Sequence, residues 1–221
     1  MEMRGVGRTD VNRALGVDAL VADETPIDEI DVLRARQYDL LAATLGRPPG
    51  ADLIEALHGL RGNDSPLGKA HAALADAALT HAASDRGLHD LDRDYFDLFI
   101  GVGRGKILPY ASYYVTGFLN ERPLARVRED LALLGIECDP AVSEPEDHIA
   151  ILLDVMAGLA ERRFGADAEG GRHFFDRHLK PWARRLFEDI EASAATPFYR
   201  AVGTLGRTFI EIETAAFAMD A

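Results

Sequence analysis

The chain has 221 residues, of which 48% are hydrophobic and 28% charged, and its formal net charge is −13. A chain of this length buries about 70% of its unfolded surface and needs no covalent staple. Its single cysteine, Cys138, excludes an internal disulfide. Because the negative charge repels nucleic acid and anionic lipid headgroups, we expect neither as a partner and favour a basic protein or peptide.

The N-terminal segment, residues 1–26, mixes acidic and basic side chains and contains no apolar core of the kind that a secretory signal requires. No stretch of the chain approaches the ~18 consecutive apolar residues of a membrane helix. We therefore expect a flexible tail over residues 1–26, a cytoplasmic protein and no direct insertion into a membrane.

Helical periodicity extends over nearly the whole remaining chain, and strand patterns are scarce. The spacing of apolar residues and the glycine and proline breaks predict an all-α fold, a single globular bundle of about 9–11 helices over residues 27–221. The predicted helices are residues 27–45, 51–60, 66–83, 88–100, 110–119, 122–134, a helix from about 143–146 onward, 172–179, 182–193 and 198–217. A possible hinge lies near residues 135–143, between two helical halves.

Cofactor and metal motifs are weak. Glu55 and His58 form one Glu-x-x-His pair, whereas a di-iron helical bundle needs two such pairs and further glutamates. The glycine-rich run at residues 101–106 lacks the Ser or Thr that completes a P-loop, and it follows no predicted strand. We therefore expect no cofactor, no metal and no enzyme activity, with a helical metal-dependent enzyme as one alternative.

Two clusters stand out. Aromatic residues surround the glycine run, and such rings serve either as core or as peptide-binding surface. The second cluster starts at Ser143, three residues before Glu146, with Pro145 between them. That spacing predicts the start of a helix, but it does not account for the acid and the histidine that follow. The residues of interest are Tyr95, Leu98, Phe99, Pro109, Tyr110, Glu144, Asp147 and His148.

These clusters resemble the two motifs of the TorD/DmsD/NarJ family of redox-enzyme maturation chaperones. Residues 144–148, Glu-Pro-Glu-Asp-His, are similar to that family's E-P-x-D-H signature. Tyr95, Leu98, Phe99 and Gly101, followed by Pro109-Tyr110, resemble its aromatic motif. Tyrosine stands at positions 95 and 110, where relatives often carry tryptophan. Part of the sequence, from Pro109 to Leu119, is most similar to the subgroup associated with formate dehydrogenases.

The resemblance implies a non-enzymatic, all-helical chaperone. Its partner would be the apo-form of the catalytic subunit of a molybdenum or tungsten oxidoreductase, held through its twin-arginine signal peptide or another N-terminal segment until the cofactor is inserted. The residues expected to contact that peptide are Tyr95, Leu98, Phe99, Pro109, Tyr110, Glu144, Asp147 and His148. The resemblance leaves open a monomer or a helix-swapped homodimer. An adaptor that binds another protein through its acidic surface is a further alternative.

Overall fold

A computed structural model of the chain describes residues 27–137, 143–164 and 168–219. These residues form ten α-helices and one turn of π-helix, with no strand among them, so the predicted all-α fold is confirmed. The predicted tail (residues 1–26), Cys138 and most of the predicted hinge lie outside the described residues. No helix in the described part of the chain is long and apolar enough to cross a membrane.

The helices follow the predicted order. They are α1 (Glu29–Leu45), α2 (Ala51–Leu57), α3 (Pro66–Ala82), α4 (Gly87–Tyr95), the π-helix (Phe96–Ile100), α5 (Ala111–Thr116), α6 (Arg122–Leu133), α7 (Ile149–Ala160), α8 (Ala168–His178), α9 (Ala183–Ser193) and α10 (Pro197–Met219). The predicted start of α3 is confirmed in detail, because the Ser65 hydroxyl accepts a hydrogen bond of 3.0 Å from the Gly68 amide and Pro66 occupies the first turn.

The described residues divide into two compact units. The first unit comprises the described residues up to Ala42 and Tyr110–Trp182; the second comprises Ala43–Pro109 and Ala183 onward. In the first unit, α7 is buried along most of its length and packs against α8. A buried pair joins α6 to α8, with Asp130 Oδ2 lying 2.6 Å from His178 Nε2. Burial lowers the pKa of His178, although Asp130 opposes the change.

In the second unit, the long helix α10 packs closely against α9. A side chain at Gly206 would collide with the ring of Phe187, and one at Gly203 would come within 2.5 Å of the Glu191 amide nitrogen. Both glycines are therefore required for the close approach of the two helices. The buried carboxylate of Asp94 on α4 accepts hydrogen bonds from the Ala195 and Thr196 amides, at 3.1 and 2.7 Å. Those bonds fix the turn between α9 and α10.

The predicted helix over residues 88–100 changes character in its last turn. The Gly101 amide donates to the carbonyl of Phe96, five residues earlier, at 2.7 Å, which is the π-helical pattern. Gly101 then adopts a positive φ of 61°, and the chain folds back so that the Ile107 amide donates to the Leu98 carbonyl at 2.8 Å. The glycine run thus ends a helix, as a glycine at a helix end commonly does.

Candidate functional site

The segment before α7 does not start a helix where the sequence predicted. The helix start predicted at residues 143–146 is wrong, since α7 begins at Ile149 and its N-cap is His148. The residues before it form a turn in which the His148 amide donates to the Pro145 carbonyl at 2.9 Å. The reason is tertiary, because His148 pairs with Tyr110 in an isolated antiparallel bridge, which holds this stretch in an extended conformation.

Asp147 serves the neighbouring helix rather than its own. Its Oδ2 accepts a hydrogen bond of 2.8 Å from the Ser112 amide, and its backbone carbonyl accepts one of 3.0 Å from the Ala111 amide. Both donors belong to the first turn of α5, whose amides have no partner within the helix. The residue is 1% exposed. The buried carboxylate therefore fixes the start of α5, and with it the position of Tyr110.

His148 is buried beside Tyr110, with the two ring centroids 5.1 Å apart in an edge-on arrangement. Burial lowers the pKa of His148 to about 4, against the opposing charges of Glu144 and Asp147. The imidazole is consequently neutral at pH 7. Only a neutral ring can use Nδ1 as an acceptor, and this atom accepts the Ala150 amide at 3.2 Å, which caps α7.

Glu144 lies at the surface, and the Tyr110 hydroxyl donates a short hydrogen bond to its Oε2. Because the donor is a phenol hydroxyl, this contact is a hydrogen bond and not an ion pair. Glu146 differs, since Arg128 Nη2 lies 2.8 Å from its carboxylate. Partial burial opposes ionisation there, but the Arg128 guanidinium still lowers the pKa of Glu146. The surface site thus combines an aromatic ring with a carboxylate whose partner is neutral.

The predicted aromatic motif lies in the second unit, apart from its last residue, Tyr110. Leu98 is fully buried, and Tyr95 and Pro109 are buried as well. The half-buried ring of Phe99 lies 5.0 Å from that of Tyr95 and 5.9 Å from that of Tyr199. The Tyr95 hydroxyl donates to the Leu45 carbonyl at 3.2 Å. Most of this motif is therefore engaged in packing within its unit.

The π-helix nevertheless exposes two apolar side chains, Phe96 and Ile100. They border an open cavity of about 380 Å³. It is lined by Pro48, His89, Asp92, Arg93, Tyr95, Phe96 and Ile100. The sequence did not mark Ile100 as a surface residue, because a regular helical period does not anticipate the extra residue of a π-turn. The peptide-binding assignment of the eight predicted residues stays a prediction.

Metal ligands do not gather in the described residues, where no group of three or more His, Cys, Asp and Glu side chains is placed to hold a metal ion. Glu55 is exposed on α2 and His58 is the C-cap of the same helix. These positions add nothing to the single Glu-x-x-His pair that the sequence contains.

Residues 61–188 match the family model described as nitrate reductase delta subunit. The match covers more than half of the 221 residues. This chain belongs to that family. Its matched region contains both motifs, from Tyr95 through His148, so the family resemblance noted in the sequence is confirmed.

Named relatives are chaperones. The chaperone protein TorD of Vibrio cholerae serotype O1 is 33% identical over 131 residues, which cover 55% of this chain and 60% of the relative. The chaperone protein YcdY of Escherichia coli (strain K12) is 31% identical over 135 residues, 61% of this chain and 69% of the relative. The chain thus spans less than two thirds of the length of the Vibrio cholerae relative.

A solved structure supports the fold. A redox enzyme maturation protein from Archaeoglobus fulgidus superimposes with a TM-score of 0.51 and covers 87% of this chain and 98% of its own. The two sequences are 18% identical. The two proteins therefore share a fold.

Proposed function

We propose that this chain is a cytoplasmic maturation chaperone that binds the leader or N-terminal segment of the apo-form of a molybdenum or tungsten oxidoreductase. The finer proposal, that the client is a formate dehydrogenase, rests on the similarity of Pro109 to Leu119 to that subgroup. The named relatives are chaperones, and the structural neighbour is described as a redox enzyme maturation protein. These descriptions support the class of function.

The observation that carries the proposal is the surface carboxylate of Glu144, which accepts a hydrogen bond from the Tyr110 hydroxyl. A guanidinium group can form two charge-assisted hydrogen bonds with a carboxylate, and it also stacks on aromatic rings. The net charge of −13 favours the approach of a basic segment. The arrangement therefore suits an arginine of a leader peptide.

Asp147 and His148 enter the proposal as positioning residues. Both are buried, and their contacts hold Tyr110 and the start of α5 and α7. Changes to either one are expected to weaken peptide binding by displacing Tyr110. Glu144 is the member of the signature that we propose to contact the arginine directly.

The test is a pull-down from the native cytoplasm with tagged full-length protein, followed by mass spectrometry. Retention of one molybdenum or tungsten oxidoreductase subunit, reduced by Glu144→Gln but unchanged by the surface control Glu169→Gln, is the expected result. Equal loss with both variants would favour an adaptor that recognises its partner through general acidity. Retention of no such subunit, together with stoichiometric metal in the purified protein, would favour the metal-dependent enzyme.

A further inference from the structure

A further apolar surface lies at the C-terminal end of α5, the end away from Tyr110. Val115 is 52% exposed, Phe118 is 70% exposed and Leu119 is 44% exposed. Single exposed apolar residues are ordinary, whereas a concentration of large ones can mark an interaction site, and here three lie within five positions of the sequence. We refer to these three residues as the 115–119 surface.

The backbone around Phe118 is held in a defined conformation. Gly117 ends α5 with a φ of 86°, a left-handed conformation that favours glycine. The Thr116 hydroxyl donates to the Ser112 carbonyl at 2.8 Å and accepts from the Phe118 amide at 3.3 Å. Because these contacts order the turn, the ring of Phe118 is presented to solvent before any partner arrives, which reduces the entropy lost on binding.

The same short helix connects this surface to the acidic site. Ser112 donates its amide to Asp147 and accepts the Glu121 amide at its hydroxyl, at 3.2 Å. Tyr110 precedes α5 and Phe118 follows it. A helix of six residues is about 9 Å long, so the two sites are roughly 10–15 Å apart, a distance that about three to five extended residues span.

The charges near the two ends of α5 differ. Glu144 supplies a surface carboxylate beside Tyr110. Glu121 and Arg122 follow the 115–119 surface with opposite signs, so neither sign of charge dominates there. A peptide in which a basic residue comes about three to five residues away from an apolar stretch matches this distribution of charge and apolar area.

We infer that the 115–119 surface binds the apolar stretch of the same leader segment whose basic residue contacts Glu144. This inference rests on the proposed leader binding and adds the second contact and its spacing. Phe118 is then a binding residue that neither family motif contains. The occupant is a single peptide that carries a basic residue and an apolar run, separated by about three to five residues of extended chain.

The experiment measures fluorescence anisotropy of three labelled synthetic peptides with the full-length protein. The first peptide carries two arginines, a four-residue polar spacer and six apolar residues; the second replaces arginine with glutamine; the third replaces the apolar residues with serine. The protein variants are Phe118→Ser, Glu144→Gln and the control Leu133→Ser. Leu133 is 86% exposed at the far end of α6, so it matches Phe118 in exposure.

We expect Phe118→Ser to bind the first peptide about tenfold more weakly, because the variant lacks the aromatic side chain that the peptide would cover on binding. This variant should also bind the first and third peptides with similar affinity while still preferring arginine to glutamine. Glu144→Gln should bind the first and second peptides with similar affinity while still binding the first peptide more tightly than the third. Leu133→Ser should bind all three as the parent protein does.

Equal affinity of Phe118→Ser and Leu133→Ser for the first peptide would overturn the inference, and a retained effect of Glu144→Gln would leave the proposed leader binding standing. Failure of the parent protein to bind any of the three peptides would contradict leader binding itself, and the inference would fall with it. Circular dichroism of each variant verifies that the helices are intact.

Discussion

The two family motifs are built in different ways in the two units. In the first unit, the polar residues Asp147 and His148 are buried and hold Tyr110 and Glu144 at the surface through hydrogen bonds. In the second unit, the rings of the aromatic motif pack together around Tyr95. The neighbouring side chains of Phe96 and Ile100 are exposed instead. Residues that identify a family can thus act mainly as supports for the side chains that face a partner.

The largest expected effect tests the packing of the second unit. Gly206→Ala places a Cβ against the ring of Phe187, and overpacking of this kind costs about 3 kcal/mol. Gly171→Ala on α8 is the matched control, because its Cβ would lie 3.9 Å from Leu159 and alanine favours a helix by roughly 0.5–1 kcal/mol over glycine. Urea unfolding should show opposite signs for the two variants. Equal stabilities would refute the role of Gly206 in close helix packing.

A smaller effect is expected in the polar support of the first unit. Asp147→Ala leaves the Ser112 amide without its buried acceptor, which costs about 2 kcal/mol. Asp147→Asn retains an oxygen in the same place and should cost less. Thermal unfolding of both variants measures the difference. If the alanine variant is as stable as the parent, the carboxylate does not hold α5.

Much of the fold followed from the sequence, because glycine and proline breaks and apolar periodicity are local signals. The Ser65-Pro66 start of α3 is an example. The start of α7 was predicted wrongly because the decisive contact, between Tyr110 and His148, joins residues far apart in the chain. The family resemblance predicted that one site contains Tyr110, Glu144, Asp147 and His148. Local sequence did not predict that Asp147 is buried, because its carboxylate accepts a hydrogen bond from Ser112, a residue far away in the chain.

A third test concerns pH, because two buried groups of the first unit have opposite effects. Burial raises the pKa of Asp154 to about 6 from 3.8, so its contribution destabilises the native state as pH rises through that range. The pKa of His148 is lowered to about 4 from 6.5, so stability is lost as pH falls from 6.5 towards 4. Between about pH 4 and 6 the two groups therefore change the free energy of unfolding in opposite directions as the pH changes.

Asp154→Asn should therefore gain about 1 kcal/mol at neutral pH, because a buried charge is removed. Its stability should fall more steeply than that of the parent as the pH is lowered from 6.5 to 4. The reason is that protonation of His148 destabilises the variant while protonation of residue 154 no longer offsets that loss. Urea unfolding across this range measures both. Adding His148→Gln should flatten the curve again, and a curve that stays steep would assign the slope to another group.

The smallest expected change in stability comes from Tyr110→Phe. It removes the hydrogen bond to Glu144 at the surface, and a solvent-exposed bond of this kind contributes about 0.5 kcal/mol or less. Affinity for the arginine-containing peptide should also change little if the ring alone matters, and should fall if the hydroxyl orients the carboxylate. Anisotropy titration beside a melting curve separates ring from hydroxyl. A large drop in melting temperature would contradict a surface role.

The division of the chain between the two units has a consequence for its synthesis. The chain passes from one unit to the other after Ala42, after Pro109 and after Trp182. A ribosome therefore completes the first unit, including the Glu144 surface, before it has made α9 and α10 of the second, and domains generally fold as their residues emerge. The second unit is complete only after α9 and α10 have been synthesised. Neither unit can be produced as one uninterrupted fragment, because each is assembled from two separate stretches of the polypeptide.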